Sequence, residues 1–197
     1  MEKPDTHRQR RLPPGPHGIP PELVERNQRE RLIAAMAEVS AERGYVEVSV
    51  AEVAKHAGVS TATFYRQFQD KRECMLVSFE ELFGRLLEAL EGGCEQWNDI
   101  ESRASAGARF VAGMLAEDVP AARLLSVEIL SVGPDGVSAQ HDAIERLAAL
   151  LREPNATAAL DAAWIGVAAM TALVAKRLAE DRLPDPDELG AMIESVT

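Results

Sequence analysis

Between Ser49 and Lys71 the chain gathers an unusual share of hydrogen-bonding side chains. Ser49, Ser60, Thr61, Thr63 and Tyr65 carry hydroxyls, Arg66 a guanidinium, Gln67 an amide and Lys71 an ammonium. These groups suit DNA. Hydroxyl and ammonium donors reach phosphates, a Thr methyl can touch the thymine methyl, and Arg can pair with the two acceptors of guanine.

The surrounding pattern predicts the helices that would present them. Ser49 and Glu52 form a capping box, each satisfying a backbone N–H left open at a helix start. Val50, Val53, Ala54 and Ala57 then fall on one face of a two-turn helix. Gly58 follows where the helix must stop in a left-handed conformation, and Val59 can plug the turn. Ser60 is a second N-cap for a helix over Thr61 to Phe68, with Phe64 and Phe68 facing inward. That leaves Thr61, Thr63, Tyr65, Arg66 and Gln67 outward, the layout of a helix-turn-helix. Asp70 to Glu73 is a third capping box, placing Lys71 in a first turn where its ammonium and free N–H groups can meet a phosphate.

The order Val53-Ala54, Ala57-Gly58-Val59-Ser60, Thr63-Phe64-Tyr65, Phe68, Asp70-Lys71 resembles the DNA-binding domain of TetR-family transcriptional regulators. Ala41 to Tyr45 is similar to that family's first-helix ending, and the resemblance covers residues 26–80. It implies that Thr61, Thr63, Tyr65 and Arg66 face the groove, while Ser49, Tyr65 and Lys71 contact phosphates. Ala51 departs from the pattern, standing where many members carry a basic residue, which puts one contact in doubt.

A chain of 197 residues, 46% of them hydrophobic, can bury one large core or two smaller ones. Its net charge of −11 is uneven. Residues 1–72 hold 12 Lys and Arg against 10 Asp and Glu, whereas residues 73–197 hold 9 against 22. Acidity therefore lies away from the helix-turn-helix, which keeps a locally basic surface to steer DNA binding. The apolar-rich run from Ala156 to Ala175 is interrupted by Asp161 and is mostly Ala and Gly, too weak for a membrane span. No charged-then-apolar leader opens the sequence, and Cys74 and Cys94 read as free thiols, so a cytoplasmic protein is expected.

Residues 1–20, rich in Pro and carrying Arg8, Arg10 and Arg11, should be an extended or disordered arm. Residues 21–70 form the helix-turn-helix domain, opening with a helix from Pro21 to Arg43 that Gly44 ends before an extended link over Tyr45 to Val48. Residues 71–197 form a helical domain. A long amphipathic helix runs from Lys71 until Gly92-Gly93, followed by helices over Ser102–Asp118, Pro120–Val132 and Ser138–Arg152. Gly133 to Gly136 should stop the second of these. The last two helices span Thr157–Asp181 and Asp187–Val196. With no alternating strand, the fold is all-α.

Thr157–Asp181 has two apolar sides. Leu160, Trp164, Val167, Thr171, Val174 and Leu178 make a bulky stripe, and Ala158, Ala162, Ile165, Ala169 and Ala172 a smaller one. In TetR-like regulators the last two helices pair across a two-fold axis, so the resemblance assigns homodimerisation to this pair. The family also commonly holds an effector among the C-terminal helices. Phe83, Leu87, Phe110, Met114, Trp164 and Met170 are candidate liners, although plain core is the simpler expectation for each. Glu128 interrupts an apolar helix. Buried, it would need Arg109, Arg123 or a cationic ligand group, but the simpler expectation turns it with Ser131 to solvent or the dimer interface.

His141 and Glu145 share a helix face, yet His7, His17 and His56 are distant, so no metal site is expected. No phosphate-binding glycine loop, nucleophile elbow or paired Cys motif appears, so neither an enzyme nor a cofactor is expected. The sequence thus points to a homodimeric, ligand-responsive repressor of a palindromic DNA operator. The alternative is a constitutive DNA-binding module that recruits a protein partner without a small-molecule effector.

Overall fold

The computed structural model describes residues 20–94, 103–151 and 160–194, and every element among them is helical. The chain divides between Ser78 and Phe79 into two compact units.

The first unit opens with α1, Pro21–Arg43, whose Pro sits in the first turn where no N–H is needed. Leu32, Met36 and Val39 are buried beside Ile33, Ala37 and Ser40, so both sequence stripes face the core. Gly44 ends α1 with φ 79°, and Tyr45–Glu47 then makes one 3₁₀ turn in place of the extended link expected. The Tyr45 ring in that turn is buried. Helix α2, Val50–Ala57, ends at Gly58, which is left-handed at φ 64° and ψ 37°. Helix α3, Thr61–Gln67, packs Phe64 into the core and hands on to Phe68, also buried, in extended conformation. Each of these rings contributes ~1.5–3 kcal/mol by leaving water.

Helix α4, Lys71–Cys94, runs on through Gly92 and Gly93, although that pair was expected to end it. A glycine costs an α-helix only ~1 kcal/mol, too little to break one that its neighbours hold. The second unit adds α5, Arg103–Glu117, and α6, Val119–Ser126. The single helix expected from Pro120 to Val132 is broken at Val127, beyond which Glu128–Val132 winds as a 3₁₀ segment.

Helix α7, Pro134–Leu151, begins inside the Gly-Pro-Asp-Gly run expected to be a loop. Pro134 suits a first helical position, and a Cβ on Gly136 would overlap the Ile129 carbonyl oxygen. The glycine is there for close approach, not for a turn. Helix α8, Leu160–Ala179, packs on α7 and α6, and α9, Pro186–Glu194, lies chiefly against α5. Gly190 permits that approach, since a Cβ would stand 2.6 Å from Arg109 Cγ. Ser105 Oγ donates to the Gly190 carbonyl at 3.0 Å, and Arg109 pairs with Asp187 at 2.8 Å. The arm of residues 1–20 falls almost wholly outside the described residues, as do Ala158 and the ends of the last two expected helices.

Candidate nucleic-acid interface and ligand cavity

The exposed face of the first unit is set by how α2 and α3 are capped. Ser49 Oγ accepts the Glu52 N–H at 3.3 Å, while the Glu52 carboxylate accepts the Ser49 N–H at 2.9 Å and its hydroxyl at 2.7 Å. The hydroxyl bond, then the backbone bond, holds the Glu52 carboxyl below its ordinary value, and Arg43 adds to this against burial. Ser60 Oγ accepts the Thr63 N–H at 3.0 Å and lies 3.0 Å from the Thr63 hydroxyl. Glu73 receives the Asp70 cap at 2.8 Å, but its own carboxylate reaches the Gln69 N–H one residue earlier than a capping box requires.

Three cations then fix the helix-turn-helix from inside, each donating to backbone carbonyls of a neighbouring segment. Arg31, buried, donates to the Ala57 carbonyl and at 2.9 Å to that of Gly58, at the end of α2. Arg29 donates to the Gln67 carbonyl at 3.2 Å, at the end of α3, and lies 4.8 Å over the Phe68 ring. Lys71 Nζ donates to the carbonyls of Tyr45 at 2.9 Å, Val48 at 2.8 Å and Val46 at 3.3 Å, and sits 4.3 Å over the Tyr45 ring. Burial first, and the Asp70 charge second, push the Tyr45 phenol above its ordinary value.

Two sequence expectations are thereby corrected. The Lys71 ammonium is turned inward onto backbone carbonyls, not outward to a phosphate. Thr63 is only 8% exposed, its hydroxyl joined to Ser60 and Arg66, so it does not point outward. Gln67 is half-buried, and Ser49 is exposed.

What remains outward on α3 is Thr61, Ala62, Tyr65 and Arg66. Residues at i, i+1, i+4 and i+5 form one continuous stripe along a helix. Tyr65 is 59% exposed although its ring meets that of the buried Phe64 edge-on at 5.5 Å. Ala62 was missed from sequence because a methyl carries no polar signal, although it can touch a thymine methyl. Ala51 is exposed on α2, where it offers no charge.

The second unit holds a cavity that is open to solvent on one side. Phe79, Phe83 and Leu86 of α4 and Val111 and Leu115 of α5 wall it on two sides. Leu125 and Ser126 of α6, Gln140, Ala143, Ile144 and Leu147 of α7, and Val167, Met170, Thr171 and Val174 of α8 complete it. The Phe79 and Phe83 rings stack 6.0 Å apart. Among the described residues no charged side chain lines the space, and its polar groups are largely committed. Gln140 Nε2 donates to the Leu125 carbonyl at 3.3 Å, and the Thr171 hydroxyl to that of Val167 at 2.9 Å.

Of the sequence candidates, Phe83 and Met170 line this space, whereas Leu87, Phe110, Met114, Glu128 and Trp164 do not. Three of those misses lie one residue from a true liner: Leu86, Val111 and Leu115. One residue turns a helix by about 100°, and a broad apolar face does not reveal which side meets the cavity. Glu128, in the 3₁₀ segment after Val127, is 7% exposed, against the expectation that it turns to solvent or to the dimer interface. Neither arginine proposed for it is placed alone. Arg109 meets Asp187, and Arg123 meets the Leu178 carbonyl at 2.8 Å and Asp181 at 3.0 Å.

Residues 32–77 match the family model of bacterial regulatory proteins, tetR family. The fatty acid metabolism regulator protein of Bacillus subtilis (strain 168) is 36% identical over 76 residues, 39% of this chain and 36% of that protein. The alignment therefore spans well under half of that relative. The structure is similar to that of the transcriptional regulator FadR from Bacillus subtilis in complex with stearoyl-CoA, with TM-score 0.72 at 20% identity over 85% of this chain and 96% of that one. It is similar also to the fatty acid degradation regulator FadR from Bacillus halodurans, with TM-score 0.68 at 22% identity over 86% and 92% of the two chains. At such identities the likeness is one of fold.

Proposed function

We propose, from the match of residues 32–77 to the tetR family model, that the chain is a DNA-binding transcriptional regulator, a ligand-responsive repressor acting as a cytoplasmic homodimer. The observation that carries the reading is the exposed Thr61, Ala62, Tyr65 and Arg66 stripe on a helix whose other face is anchored by Phe64 and whose end is held by Arg29. That stripe fits a major groove, with Ser49 nearby for a phosphate. Two copies related by two-fold symmetry call for a palindromic operator.

On α8, Ile165 is 53% exposed and Ala172 is exposed, an apolar side that supports the assignment of this helix to the homodimer contact. The cavity's uncharged walls suit a hydrocarbon chain or ring. Stearoyl-CoA, held by the similar Bacillus subtilis FadR, supports a fatty acyl chain as the class to test first. Effector and operator would then weaken each other's binding by one shared factor, commonly ~1–3 kcal/mol.

The test is a footprint of the purified protein on the DNA flanking its own gene, across a salt series. A protected palindrome with a steep salt slope, released by an acyl ligand, supports the whole reading. A protected palindrome that no apolar ligand releases supports the constitutive, partner-recruiting alternative. Tyr65→Ala should weaken binding to every sequence while leaving the dimer and its melting temperature intact, and unchanged affinity would refute a contact role for Tyr65.

A further inference from the structure

We propose that Arg66 reads a guanine in each operator half-site and that Thr63, though buried, orients it for that task. The inference rests on the reading of this chain as an operator-binding regulator. Arg66 stands in the last turn of α3 on the exposed stripe. Its Nη2 donates to the Thr63 hydroxyl at 3.3 Å and to Gln28 Oε1 on α1 at 3.5 Å. The Thr63 hydroxyl is fixed in turn by Ser60, whose Oγ also caps the helix. The guanidinium is therefore tied to the start of its own helix through a buried hydroxyl, and more loosely to a half-buried amide on a neighbouring helix.

The two ties differ in what they allow. Both exceed the ~2.7–2.9 Å of a strong charge-assisted bond, and the bond to Gln28 is the weaker. Giving up the Gln28 bond frees one Nη2 hydrogen while Thr63 keeps the other. That free hydrogen, with one on the adjoining Nε or Nη1, makes the two-donor edge that guanine O6 and N7 accept. A phosphate would accept the same cation, but charge alone suffices there and the orienting hydroxyl would be superfluous. Thr63 is thus a positioning residue and Gln28 a competitor that DNA displaces.

The experiment selects an operator from random DNA with the unaltered protein, then measures competition by each single-base variant of that operator at fixed salt. The expected parent shows a guanine preference of roughly ten- to a hundredfold at one symmetry-related pair of positions. Arg66→Lys, which keeps the charge and loses the fork, should flatten that preference to within about threefold while preserving the salt slope. Thr63→Val, close in shape, should reduce it several-fold with a melting temperature showing an intact fold. Gln28→Ala should leave it undiminished. Base preferences unchanged in Arg66→Lys would overturn the assignment in favour of a phosphate contact, which needs only the charge that Lys keeps. An unaffected Thr63→Val would overturn the orienting role. A parent with no sequence preference at all would instead defeat the regulator reading on which the inference rests.

Discussion

At the scale of single residues, the first unit is governed by cations that serve the backbone. Lys71 lies in a first turn, where positive charge ordinarily repels the helix dipole, yet three carbonyls and the face of Tyr45 compensate it. Lys71→Met should therefore destabilise the helix-turn-helix by roughly 1–3 kcal/mol, read from denaturant unfolding. Its DNA-binding salt slope should stay as in the parent; a slope lower by about one would place Lys71 on a phosphate instead. Cys74 behaves oppositely, as a group burial keeps uncharged. Burial pushes its thiol up to about 12 despite a hydrogen bond with Ser78. The unfolded thiol ionises first as pH rises, so this residue's contribution is full below the ordinary thiol value of ~8.5 and is lost progressively toward 12. In a Cys94→Ser background, iodoacetamide at pH 8 should modify Cys74 only as fast as the protein unfolds. Rapid labelling of the native protein would contradict this.

At the scale of elements, helices stop where a specific contact demands it and continue where only propensity objects. Gly58 needs its left-handed φ of 64°, so it ends α2; Gly92 and Gly93 lie in α4 and do not end it. Gly136 belongs to a third class. It lies within α7 because only a hydrogen fits against the Ile129 carbonyl. Gly136→Ala should accordingly lower stability by about 1–3 kcal/mol, although alanine is the better helix former. Thermal unfolding checks this, and a variant as stable as the parent would show that the 3₁₀ segment shifts freely. The same segment carries Glu128, which is buried in the second unit.

At the scale of the molecule, α4 gives its first turns to one compact unit and the remainder to the other. Phe79, Phe83 and Leu86 on its second part face the cavity, while Lys71 and Cys74 on its first part belong to the helix-turn-helix. One covalent helix thus carries both the candidate ligand contacts and part of the candidate DNA domain. The exposed side of α8 makes a prediction at this scale. Ile165→Asp should shift the protein toward monomer in analytical ultracentrifugation and weaken operator binding, since two linked half-site contacts become one. A fully dimeric Ile165→Asp would move the interface to another face. No helix among the described residues is long and apolar enough to cross a membrane.

The helix-turn-helix was legible from sequence because its boundaries are local. Ser49 with Glu52, Gly58, and Ser60 with Thr63 act over three residues or fewer, and a bond of that reach depends on residue type and spacing alone. The all-α layout was legible for the same reason, since apolar periodicity is a property of the chain. Tertiary structure decided whatever depends on a partner distant in sequence. Lys71 could not be seen to turn inward until the carbonyls of Tyr45 and Val48 were beside it. The bond from Arg66 to Gln28, 38 residues away, could not be seen without α1 in place. The cavity walls differ from the expected ones by single helical steps, Leu86 for Leu87 and Val111 for Phe110. Periodicity specifies that a helix has an apolar face. Its rotation about its own axis is chosen only when neighbouring helices pack against it.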